Sequence, residues 1–498
     1  MIVRGEAQDR PLEEAFDYVV IGSGAAGATV ARTLVDAGSS IAVVEEGPAV
    51  ETGEFSDRAF DTLRRLYRDG GTQTTRGRVV SPIFQGRALG GSTVVNSAIM
   101  WRLPEDVWAE WDRERGLGQA VPLAQLHRRW DLIEQELSVT PTPEEVWGEN
   151  NRLLEVGGRA LGVRTKPMRR AVAACRGSAR CQSGCPFGAK QSMALTYLPY
   201  AEGRGAALFT SARANRVVMR GDRAEVVEGA FATGAPFVLR AGKAVIVAAS
   251  AIQSPGLLQR SGVRSPHLGR HFQAHPGASM VGVFDQPVGM WFGATQGFES
   301  DEHRREGRFK VETISLAPEV LLATLPGVGR PWVEEMLRAG HMAMWALDLQ
   351  AHAEGKVRDR RRGTLVHFVP ERRDVANLKR GLRFIADLFF AAGAREVLPG
   401  VHGFPERLVR PDQARLIESG PDDPRAYSFV LTHLFGTARM SLRPQDGVVG
   451  PDFAVHGARN LYVADSSIFP TNIGVNPQLT IMGIAMLAAE RIRDRAAA

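Results

Sequence analysis

Phe16-Asp17-Tyr18-Val19-Val20-Ile21-Gly22-Ser23-Gly24-Ala25-Ala26-Gly27 decides the fold of this chain. Its first half is an apolar run with β-branched side chains, the pattern of a strand buried on both faces in a parallel sheet. Ala28 to Ala37 then reads as a helix, and Ile41-Ala42-Val43-Val44 as a second strand ending in Glu45. The whole is a βαβ unit whose first turn is Gly-x-Gly-x-x-Gly. Gly22 permits the tight turn, Gly24 admits a pyrophosphate to the backbone, and Gly27 lets helix and strand pack closely. The phosphates would lie at the helix N-terminus, beside Ser23 and Ala26, where unpaired N–H groups and the dipole favour an anion. Glu45 stands where an acid would hold ribose hydroxyls. An acid there disfavours a 2′-phosphate, so an NADP site is not expected.

The fingerprint does not separate FAD from NAD, but later segments do. Gly86-Arg87-Ala88-Leu89-Gly90-Gly91-Ser92-Thr93-Val94-Val95-Asn96 is followed by Ser250-Ala251-Ile252-Gln253-Ser254-Pro255-Gly256-Leu257-Leu258 and Ser261-Gly262-Val263. Asn460-Leu461-Tyr462-Val463-Ala464-Asp465-Ser466-Ser467 and Asn476-Pro477 come near the end. In this order, from about Asp17 to Ile492, the motifs resemble those of the glucose–methanol–choline (GMC) oxidoreductases. One departure is Arg264, where that family usually has glycine. The resemblance, nearest to long-chain alcohol oxidase-like bacterial members, implies FAD. It implies cofactor contacts at Gly90, Gly91, Ser92 and Asn96, at Ala214 and Ala249 in the middle of the chain, and at Asp465, Asn476 and Pro477. Some members attach flavin through a histidine just before the loop asparagine. Val95 stands there, which implies FAD bound non-covalently.

The resemblance also names the chemistry. His433-Leu434-Phe435-Gly436-Thr437 matches the family's His-x-x-Gly-Thr, and Asn476-Pro477-Gln478-Leu479-Thr480 the segment that supplies its second catalytic residue. Both would face the reactive edge of the isoalloxazine. Oxidising a primary or secondary alcohol to an aldehyde or ketone needs loss of the hydroxyl proton and transfer of the α-hydrogen as hydride to flavin N5. An imidazole suits the first step, so His433 is the expected base. A carboxamide at Asn476 would hold the oxygen. The substrate implied is apolar or bulky. Lyases and fatty-acid decarboxylases of the same family are the rival class, and retention of His433 argues against the decarboxylases. His275-Pro276 reads as structural. No His-Cys spacing suggests a zinc site, so no metal is expected. Glu312 reads as an outward-facing strand residue, with a role at the substrate as the alternative.

All three cysteines, Cys175, Cys181 and Cys185, fall in one short loop ending Cys185-Pro186. Three readings stay open: an iron–sulfur cluster feeding electrons to a partner subunit, a disulfide such as Cys175–Cys181, or free thiols. The charged N-terminus lacks the apolar core of a secretory signal, and no apolar run could span a bilayer, so a cytoplasmic protein is expected. The net charge is +6, yet arginines and acids are interspersed, which speaks against nucleic-acid binding. Basicity could still help dock an acidic electron-acceptor protein. The densest run, Arg358-Asp359-Arg360-Arg361-Arg362, reads as a solvated hairpin turn ending at Gly363.

A chain of 498 residues is too long for one ordinary core. The expected fold is α/β: a Rossmann-like FAD-binding domain plus an α+β substrate domain whose antiparallel sheet lies over the flavin. The first would be discontinuous, from 1–100, 201–277 and 442–498; the second would take 101–200 and 278–441. Helices are expected over Gln125–Leu137, Val375–Ala392 and Thr480–Arg493. Strands are expected near Ala278–Phe284, Arg308–Leu316, His341–Leu349 and Leu365–Val369. Met290-Trp291-Phe292 and Pro318–Leu325 could line an apolar tunnel.

Overall fold

The computed structural model describes residues 1–325, 327–360 and 363–497. Two large sheets organise them. The first has eight strands. At its centre the Leu12–Ile21 strand lies parallel to Ile41–Val44 on one side and to Pro236–Val247 on the other. Ala207–Thr210 and Leu461–Val463 extend the parallel part. An antiparallel flap, Ala212–Arg220 with Arg223–Phe231, continues from Pro236–Val247. Val19, Val20, Ala42, Val43, Val245 and Ile246 are all buried. That is why these strands read as unbroken apolar runs rather than alternating ones.

The helix Ala25–Val35 begins at the glycine turn, and the C-terminal helix Gln478–Ala497 packs against it. The C-terminal helix runs past both expected ends.

The second sheet is mostly antiparallel, as expected, and has ten strands. Its spine is Arg270–Val283, which pairs with Met342–Leu349 and with Val430–Phe435. Phe309–Thr313 adds to Met342–Leu349, and Phe298–Ser300 adds to Phe309–Thr313. The helix Arg372–Ala391 covers one face of this sheet, with Trp345 stacked on Phe389 at 3.8 Å. Side chains alternate along a strand, so Met344, Ala346 and Asp348 turn to the opposite face, which lines the main cavity. The strands Gly355–Arg360 and Gly363–His367 form the expected hairpin; Arg361 and Arg362 of its basic turn lie outside the described residues. No helix among the described residues is long and apolar enough to cross a membrane.

Candidate active site

A cavity of about 2320 Å³ runs between the glycine turn and the second sheet. Gly22, Ser23, Gly24, Ala26, Glu45, Gly91, Ser92, Asn96, Ala214, Ala249, Asp465, Asn476, Pro477 and His433 all line it. Gly27 and Gly90 do not; they shape the backbone behind the lining. A Cβ on Gly27 would sit 1.8 Å from the carbonyl of Gly22, so helix and turn could not meet. Gly90 packs on Ala194 and donates its N–H to Ser23 Oγ. A Cβ on Gly24 would meet only Gly91 Cα, at 4.0 Å, while a Cβ on Gly91 would come 2.8 Å from Gly24 Cα. The two glycine loops therefore abut and leave a side-chain-free cradle.

Glu45 braces that cradle. One carboxylate oxygen accepts from the N–H and hydroxyl of Ser23, and the other from the N–H of Gly47. Burial raises its pKa, although those three donors pull the other way. Asp465 acts similarly, accepting from the N–H groups of Ser250 and Ser467 and from the Ser254 hydroxyl. Asn96 donates to Gln478 at the start of the C-terminal helix. Buried Lys190 donates to the carbonyls of Val94, Asn96 and Cys181, tying the second glycine loop to the cysteine loop. Burial pushes the Lys190 pKa down to about 8.

His433 sits near the end of Val430–Phe435, where Gly436 lets the chain pass His271; a Cβ there would meet the His271 carbonyl at 2.2 Å. His433 Nδ1 lies 3.2 Å from Nδ1 of His275 and 3.6 Å from a carboxyl oxygen of Asp348. No hydrogen bond from the described residues reaches its Nε2. Burial lowers its pKa to about 4, so the ring is neutral at pH 7. Asn476 follows Gly474, whose N–H donates to Nε2 of His275. One buried imidazole thus connects the two segments that the sequence motifs single out.

A charged group lies beside His433. Sheet register sets Lys310 opposite Asp348, and Glu312 opposite Glu299. Lys310 is fully buried and bonded to both Glu299 and Glu312; Gln296 donates to Glu312, and Trp101 to Glu299. Burial works against the Lys310 charge, but its acidic neighbours outweigh that and hold its pKa above the usual range. Burial raises the pKa of both Glu312 and Asp348. The expectation of an outward-facing Glu312 is therefore wrong. The residue is 3% exposed and lines the cavity, because a buried lysine on its own strand supplies the partner a buried carboxylate needs.

Family models of GMC oxidoreductase match residues 60–277 and 352–485. A GMC-type oxidoreductase of Mycobacterium tuberculosis is 37% identical over 485 residues, 97% of this chain and 76% of that one. The chain belongs to the GMC oxidoreductase family. It is an FAD-dependent oxidoreductase. A long-chain-alcohol oxidase of Arabidopsis thaliana is 26% identical over 96% of this GMC chain and 68% of its own length. A solved structure of Aspergillus oryzae formate oxidase, from work on its FAD modification, has a TM-score of 0.75 at 17% identity. It covers 98% of this chain and 99% of its own, and shares the fold.

The residues fit the family's cofactor. The Gly24–Gly91 cradle has room where phosphates need backbone, and Asn476 Oδ1 is buried without a hydrogen-bond partner among the described residues. An orphan buried polar atom is costly unless a ligand satisfies it.

The three thiols are unbridged, so the disulfide reading is not realised. Nor do their sulfurs converge. Among the described residues, the His, Cys, Asp or Glu ligand atoms that gather in threes are those of His275, Asp348 and His433, within 4.8 Å of one another. His275 spends Nε2 on Gly474 and turns Nδ1 to His433, so hydrogen bonding accounts for this trio. Ser178, Arg180 and Phe187 bring the cysteine loop to the cavity wall. Trp291 and the Leu316–Leu325 stretch also line it, whereas Phe292 is 56% exposed and Met290 is buried elsewhere. Asp348, Lys310, Glu299 and Gln296 were not foreseen. Their one signal in the sequence is a lone charge inside an apolar strand, as Asp348 is within Met342–Leu349.

Proposed function

We propose that this enzyme oxidises a primary or secondary alcohol, apolar or bulky in character, to an aldehyde or ketone. The observation that carries this is the meeting of His433 and Asn476 on one cavity wall, joined through His275 and Gly474. Both segments match the motif pair that alcohol-oxidising GMC enzymes carry. The remaining wall is chiefly apolar, with Met280, Val281, Ile314, Leu316, Leu325 and Met344. Such a surface takes up an alkyl chain or a ring system by burying its area from water. His433 and Asn476 would grip the alcohol oxygen, orient the α-hydrogen and exclude water from it. The hydroxyl proton would leave into the buried group of His433, Asp348 and Glu312, whose pKa values are all displaced by burial. FAD, when bound, would supply the electron sink for the α-hydrogen. Gly22, Ser23, Gly24, Glu45, Gly91, Ser92, Asn96, Ala214, Ala249, Asp465 and Pro477 would hold it.

FAD is held without a covalent bond in this reading, because Val95 offers no nucleophilic atom at the position before Asn96. A panel of alcohols, from aliphatic chains to sterols and sugars, tests the proposal through anaerobic flavin reduction in the dark. Long-chain or ring alcohols should bleach the flavin, and acid precipitation should leave FAD in the supernatant. A flavin that no alcohol reduces removes the substrate class; colour retained in the pellet removes the non-covalent attachment.

A further inference from the structure

The cysteine loop closes where Val172 pairs with Lys190. Its two ends bring in two cations, Arg170 and Lys190, each only 2% exposed and near enough to feel the other's charge. A buried charge normally has a carboxylate partner. Here Lys190 donates to three backbone carbonyls. Arg170 donates to the Gln296 carbonyl at 3.4 Å and to Cys175 Sγ at 3.8 Å, and its Nε is buried with no partner. No acid among the described residues pairs with either cation, so the pair needs a counter-charge from elsewhere.

The thiols are the groups that can supply it. All three are half-buried, so access alone singles out none of them. Cys175 meets Arg170, Cys185 lies near Lys190, and Cys181 lies near both. Buried Thr295 accepts from the Cys181 N–H at 3.1 Å and sets its own hydroxyl and N–H against the Cys181 sulfur. Burial alone would raise the pKa of this thiol, but Arg170, Lys190 and Thr295 outweigh it and bring the value below the usual one. Cys181 also opens the short turn Cys181–Ser183, which Tyr67 holds by donating to the Gln182 carbonyl at 2.7 Å. Gln182 and Ser183 line the main cavity, so a small molecule there reaches this turn.

We propose that Cys181 is the counter-charge of this cation pair, a nucleophilic thiolate, and the site at which hydrogen peroxide modifies the protein. The sulfur attacks one peroxide oxygen; the O–O bond breaks and an S–O bond forms. Sulfur is oxidised by two electrons to a sulfenic acid. The peroxide is reduced, its second oxygen leaving as hydroxide that takes up a proton to become water. Arg170 Nε, a donor without a partner, is free to meet the new oxygen. Lys190 binds the carbonyls of Cys181, Val94 and Asn96 together, so the modified residue stands one side chain from the second glycine loop. The proposal is independent of the alcohol reading, since it concerns a different wall of the cavity and a different reactant.

The test gives FAD-loaded protein hydrogen peroxide at pH 7 with dimedone, which traps sulfenic acids, and follows each cysteine by peptide mass spectrometry. Three proteins keep one thiol apiece, so that no disulfide can form within a chain: Cys175→Ser/Cys185→Ser, Cys175→Ser/Cys181→Ser and Cys181→Ser/Cys185→Ser. An ordinary thiol is only a few per cent ionised at neutral pH, so a thiolate should react about 10-fold faster. The protein that keeps Cys181 should therefore gain its adduct about 10-fold ahead of the other two. Equal rates, a faster Cys175 or Cys185, or no adduct at Cys181 overturns the proposal. Adding Arg170→Gln to the Cys181 protein should slow its reaction by about 3- to 10-fold; an unchanged rate would mean that the cations do not activate the sulfur. Should these variants not fold, the order of the earliest adducts in the unaltered protein decides. No alcohol is present, so failure of the alcohol panel and failure of this proposal are read separately.

Discussion

The glycine turn and the buried charge group line one cavity, yet they are built in opposite ways. The turn spans Gly22 to Gly27 and works through side chains it lacks: added Cβ atoms would fall 2.3 Å from the Ala248 carbonyl at Gly22 and 1.8 Å from the Gly22 carbonyl at Gly27. The charge group draws His275, Glu299, Lys310, Glu312, Asp348 and His433 from five strands of one sheet. It works only through side chains, each satisfied or displaced in pKa by another. A backbone site therefore tolerates no added atom, whereas a side-chain site tolerates no missing partner.

The sharpest break of that contrast is Gly27→Ala. The new methyl has no room against backbone that cannot move without opening the βαβ unit. The expected outcome is loss of folded, FAD-containing protein, read from yield and flavin absorbance; normal FAD content would show that the turn can shift. Next comes Lys310→Met, which adds no bulk but leaves Glu299 and Glu312 buried beside an uncharged chain. Stability should fall by about 3–5 kcal/mol, as measured by denaturant unfolding. A change below about 1 kcal/mol would mean that water or a shared proton already neutralises the pair.

His433→Ala separates the two regions most cleanly, since it should leave the cradle intact. FAD should stay bound while alcohol-driven flavin reduction drops by about two to four powers of ten. Ordinary turnover in that variant would remove His433 from the chemistry.

These outcomes track what could be read before folding. The parallel core around Leu12–Ile21 was legible because both faces of those strands are buried, which leaves a continuous apolar run. The second sheet was legible as strands, but not as a charged site. Glu312 looked like an outward residue since a polar side chain in an alternating strand usually faces water. Only the register of Phe309–Thr313 against Met342–Leu349 puts Lys310 opposite Asp348 and turns that face inward. His275 shows the same limit: it read as structural, but its contact with His433 lies beside an irregularity in the pairing between Ala274 and Pro276.

By itself the chain's order of residues determined the nucleotide turn, the family and the two segments that bear His433 and Asn476. Each depends on local backbone geometry, on the space glycine leaves, or on a short motif. Tertiary structure alone decided which carboxyls are buried, which lysine neutralises them and which nitrogen of His433 faces the cavity. Those properties follow from sheet register and desolvation, and both arise only when strands far apart in the chain are brought side by side.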